Sequence, residues 1–72
     1  MEYVVNLTWD SEACVWIAES NDIPGLILES GSFDALLERV RYAIPELLEL
    51  NNATSKAPIL TFVSKRQERI AL

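Results

Sequence analysis

Asp10, Glu12 and Glu38 are the carboxylates with which this chain could hold a divalent cation, and Cys14 is its one thiol. Paired acids fix a metal, and a fixed metal activates water for hydrolysis. A nuclease fold that opens β-β-β-α-β carries such acids on its first strand and first helix. Other features of the sequence weigh against that chemistry. Asp10 and Glu12 fall where a hairpin turn uses acids for its own hydrogen bonds, and Glu38 lies between the apolar positions of a helical pattern. Cys14 has no histidine to activate it, because the sequence contains none; it reads as a small apolar core or interface residue. No GxGxxG, P-loop, HExxH or GxSxG pattern occurs. The expectation is therefore no catalytic residue, no bound metal, no cofactor and no enzymatic activity.

The elements that carry these residues are legible from periodicity. EYVVNLTWD places Tyr3, Val5, Leu7 and Trp9 on one face and Val4, Asn6, Thr8 and Asp10 on the other, the period-two pattern of a strand over about 3–10. A short turn leads into CVWIAE, a returning strand over 14–19 rich in β-branched and aromatic residues. SNDIPG then breaks the pattern. Proline fixes φ for the second position of a turn and glycine accepts the positive φ that follows it. Pro24-Gly25 is thus a structural corner, and a third strand covers 26–30. From Ser32, Phe33, Leu36, Leu37, Val40, Ile44, Leu47 and Leu48 follow helical spacing. Ser32 suits the N-cap, and Asp34 suits the first turn, where the helix dipole favours an anion. The helix is expected over 32–51, kinked or restarted near Pro45, whose ring opposes the preceding turn. ILTFVSK predicts a last strand over 59–65, and Lys65, Arg66 and Arg69 read as the solvated end of an edge strand rather than an RNA-binding patch.

The order β-β-β-α-β predicts one α+β domain over residues 1–72, a four-stranded sheet with one helix packed on one face. Half of the 72 residues are apolar, enough for a core, yet a chain of this size buries only about 60% of its unfolded surface. The second strand is apolar on both sides: Val15 and Ile17 on one, Cys14, Trp16 and Ala18 on the other. One helix cannot cover both. Cys14, Val15, Trp16 and Ile17 are therefore the expected interface residues, in a homodimer or higher homo-oligomer. Trp16 also has the character of a binding hot spot.

Charge narrows the partners. Residues 1–38 contain eight acids and no lysine or arginine, whereas the six basic residues all lie beyond Glu38. Phosphate binding needs cations, so the first half is not a nucleic-acid surface; it suits a basic protein drawn in by electrostatic steering. No stretch approaches the roughly 18 uninterrupted apolar residues of a membrane span. The N-terminus lacks the cationic start and apolar run of a signal peptide. A cytoplasmic location is expected.

Trp9-Asp10, the element Val15 to Ser20, the Asp22 to Leu26 corner and the PELLE run from Pro45 to Glu49 stand in the order seen in a known family. The chain resembles the HicB-like antitoxin fold, most of all its short stand-alone domains of unknown function, over about residues 3–51. The resemblance implies a partial RNase H-like fold without a catalytic site. It also implies a function: binding and neutralising a small basic mRNA-cleaving toxin. Full antitoxins of this type add a helix-turn-helix or ribbon-helix-helix DNA-binding domain; none is expected in this chain. The alternative is a stand-alone self-assembling domain with a structural or small-molecule-binding role and no toxin partner.

Overall fold

A computed structural model describes residues 2–51 and 57–72. The elements are β1 (Glu2–Asp10), β2 (Val15–Glu19), β3 (Ile27–Ser30), α1 (Phe33–Leu50) and β4 (Ile59–Lys65). The strands form one mixed sheet in the order β3-β2-β1-β4. β1–β2 and β2–β3 are antiparallel, while β4 returns alongside β1 in parallel, from Glu2 opposite Ile59 to Thr8 opposite Lys65. This is the expected α+β architecture.

The helix covers one face of the sheet because its apolar residues recur every four positions. Leu36, Val40, Ile44 and Leu48 are buried. They meet Tyr3, Val5 and Leu7 of β1, Ala18 of β2, and Ile23 and Leu26 from the corner. Ser32 caps the helix, its hydroxyl accepting the Ala35 N–H at 3.2 Å, which satisfies one of the free donors of the first turn. At the other end the Asn51 side chain donates to the Leu47 carbonyl (2.8 Å) and to the Pro24 carbonyl (3.2 Å). One amide thereby closes the helix and ties it to the corner.

Three details depart from the sequence reading, those at Pro45, Leu26 and Cys14. The helix runs unbroken through Pro45, so it does not restart there; the proline has no N–H to give the Arg41 carbonyl. Ser32 is the N-cap, as its residue type suggests, and Asn51 is the C-cap. Leu26 belongs to the turn: its N–H donates to the Ile23 carbonyl at 3.2 Å, and its side chain is buried. Cys14 does not open β2. Its φ of 55° lies in the left-handed region, which ends the preceding turn and is incompatible with a strand.

Candidate protein-binding face

Of the carboxylates considered for catalysis, Asp10 serves structure. One Asp10 oxygen accepts the N–H groups of Glu12 (3.0 Å) and Ala13 (3.2 Å), holding the β1–β2 turn as a side-chain mimic of a backbone turn. Glu12 and Glu38 are exposed, on the turn and on α1 respectively. Among the described residues no three of the aspartates, glutamates and cysteine come close enough to hold a metal ion. The Cys14 thiol is exposed and donates weakly to the Ser11 carbonyl at 3.6 Å.

The four residues expected at an interface are divided between two surfaces and a turn. Trp16 faces the helix. Its ring meets Phe33 edge-on, with centroids 4.8 Å apart, and lies 5.5 Å from Trp9, its cross-strand partner. The Arg66 guanidinium caps this cluster 4.4 Å above the Trp9 ring and is held by Glu68 at 2.8 Å, a cation–π contact on a partly wet surface. Trp16 is therefore half-buried packing under a cation, and Cys14 sits in the turn. Of the four, only Val15 and Ile17 belong to the sheet face that the helix leaves open.

The register defines that face. Asn6 pairs with Glu19 and Val63, and Glu19 pairs with Ile27; Thr8 pairs with Ile17 and Lys65, and Ile17 pairs with Glu29. Paired residues share a face. Two rows result across the four strands, Ile27–Glu19–Asn6–Val63 and Glu29–Ile17–Thr8–Lys65, flanked by Val4, Val15 and Ile59. Ile27 is 73% exposed, Val63 48% and Val4 40%. Among the described residues of the strands, four carboxylates, on Glu2, Asp10, Glu19 and Glu29, stand on this face against the one ammonium of Lys65. A shallow cleft of about 270 Å³ opens beside it, with Asn6, Glu19, Asn21 and Ile27 in its wall.

The corner next to this cleft has a purpose that the sequence reading missed. β2 ends at Glu19, yet the Val4 backbone opposite its continuation is still satisfied. The Val4 N–H donates to Asp22 Oδ2 at 2.7 Å, and the Ser20 hydroxyl donates to the Val4 carbonyl. The Asp22 N–H in turn donates to Ser20 Oγ at 3.0 Å. Two side chains thus extend the ladder by one residue while the backbone turns away. Ile23 and Leu26 flank the turn and are buried beneath the C-terminal half of α1. The signal was present in the sequence: two large apolar residues bracketing Pro-Gly are uncommon in a turn meant for solvent.

Comparison with known proteins bears on the whole chain. A family model described as a domain of unknown function, DUF1902, matches residues 2–72. Among solved structures, the crystal structure of hypothetical protein TTHA1013, from the extremely thermophilic bacterium Thermus thermophilus, is similar with a TM-score of 0.76. It is 33% identical, and the match covers 100% of each chain. No curated protein matches the chain. No helix among the described residues is long and apolar enough to cross a membrane.

Proposed function

The chain belongs to the DUF1902 family, whose description assigns no activity, and we propose that it is a non-catalytic protein-binding module with the role of a HicB-like antitoxin. It acts in the cytoplasm, where its open sheet face binds a small basic mRNA-cleaving toxin and neutralises it. One observation carries this reading: the open face combines exposed Val4, Ile27 and Val63 and half-buried Ile17 with four carboxylates and one lysine. Apolar side chains supply the area that association needs. The carboxylates select a cationic partner and repel an anionic one such as RNA. Glu19, in the wall of the cleft, offers a partner arginine or lysine an acceptor beside the apolar surface of Ile27.

The test is reconstitution with the small basic protein recovered on the tagged chain from its native cells. Wild type should block that protein's cleavage of mRNA. Ile17→Lys and Glu19→Lys should weaken binding at least about tenfold, since each puts a cation against a cationic partner. A captured protein that is acidic, or whose binding ignores both substitutions, overturns the reading. The chain alone should leave RNA, DNA and simple esters intact, with or without magnesium or manganese. Metal-dependent RNA cleavage that Asp10→Asn abolishes would make it an enzyme instead.

A further inference from the structure

The two edges of the sheet differ in what protects them. β3 is four residues long, lies under α1, and has its Glu29 carbonyl bound by the Arg39 guanidinium at 2.8 Å. A charged side chain seated on an edge strand blocks pairing by another chain. β4 is seven residues long and reads ILTFVSK, with no charge before Lys65 and no proline inside. Among the described residues it pairs with β1 alone. None of its residues is buried: Ile59 is 56% exposed, Val63 48%, and Leu60 and Phe62 are only partly covered. Four of the five residues from Ile59 to Val63 have strong β-propensity, and the run carries apolar groups on both faces of an unguarded edge.

We propose that this edge is the contact between two copies of the chain, which join β4 to β4 in antiparallel pairing about a two-fold axis through Thr61. The sequence of the strand selects that partner and that register. With Thr61 opposite its own copy, Leu60 meets Phe62 on the helix side, and Ile59 meets Val63 on the open side. Every apolar side chain of β4 then faces an apolar one. The charges agree as well. Antiparallel pairing sends the two Lys65 side chains to opposite ends of the interface, whereas parallel pairing would set them side by side. Each Lys65 then shares the open face with Glu2 of the other copy. Strand spacings put their Cα atoms about 12 Å apart, within reach of two long side chains of opposite sign. The result is one eight-stranded sheet with both helices on the same side. Leu60 and Phe62 of the two copies fill the trough between the helices, and the open face doubles in width. The contact borders the face assigned to a basic partner and shares Ile59 and Val63 with its margin. Ile17 and Glu19, however, lie on β2, two strands away, so either assignment can fail without the other.

Sedimentation equilibrium on the full chain tests the proposal, with a dimer expected at tens of micromolar. Ile59→Lys and Val63→Lys lie at exposed positions and should keep the fold by circular dichroism. Each should raise the dimer dissociation constant at least about tenfold. Ile17→Lys, two strands away on the open face, should leave it unchanged. In a Cys14→Ser background, mild oxidation should link the chains of Thr61→Cys and leave those of Thr8→Cys monomeric, because only the former lies at the two-fold axis. Three outcomes would overturn the assignment. They are a wild-type monomer at about 100 micromolar, a dimer that both β4 lysines leave intact, and linkage through Thr8→Cys in preference to Thr61→Cys, which would mean that sheet faces stack.

Discussion

Two residues hold backbone conformations that decide what can replace them. Gly25 has φ +90°, and a Cβ built there would stand 3.3 Å from Leu47 Cδ2. The turn therefore favours glycine, and any Cβ would also ask the Leu47 side chain to give by a few tenths of an ångström. Gly25→Val should cost about 3 kcal/mol or more in urea unfolding, combining left-handed strain on a β-branched residue with overpacking. Gly25→Asn should cost about 1–2 kcal/mol, since asparagine accepts that φ. Cys14 is the opposite case, a side chain where glycine would fit. Left-handed φ costs an L-residue about 1–2 kcal/mol, and glycine returns part of that as chain entropy. Cys14→Gly should thus gain about 0.5 kcal/mol, while Cys14→Val should lose about 1–2 kcal/mol. Equal effects from the two would mean that the β1–β2 turn closes differently. The glycine was legible in the sequence because Pro-Gly names its turn type. The cysteine was not: its residue type suggests a strand, and only the tight closure by Asp10 forces it out of one.

At the level of elements, alternation and helical spacing were enough to place every strand and the helix, because each element has one apolar face to bury. Pro45 shows where local rules stop. Its ring predicts a break, yet Ile44 and Leu48 on either side are both buried, and burying them along one continuous face outweighs one missing hydrogen bond. Pro45→Ala should therefore stabilise the protein by about 1–3 kcal/mol in thermal or urea unfolding, by restoring the N–H to the Arg41 carbonyl. A loss would show that the proline shapes the helix to the sheet. The candidate face was only half legible. Period two sorted the second strand into its two sides, but which side the helix takes depends on the neighbours of Ala18 and Leu7. Those lie on other strands and come together only through the register.

For the whole molecule, size is the governing quantity. A chain this short has a small margin of stability, and β4 contributes apolar residues without burying any of them fully. If two copies cover that strand, stability becomes a function of concentration. The thermal midpoint of wild type should rise with protein concentration across the micromolar range, whereas that of Ile59→Lys should not. A midpoint independent of concentration in both would leave the monomer as the folding unit. The sheet order also governs events in time. β1 lies beside β4, the last of these four strands to be synthesised, and Glu2 pairs with the distant Ile59. β1, β2, β3 and α1 can emerge from a ribosome and assemble through short connections, but one side of β1 stays open until β4 follows. Closing that longest loop is the slow step that topology imposes. During synthesis, then, the hazardous surface is the bare flank of β1 in the middle of the future sheet, and chaperones that act on nascent chains would find their target there only until the final strand arrives.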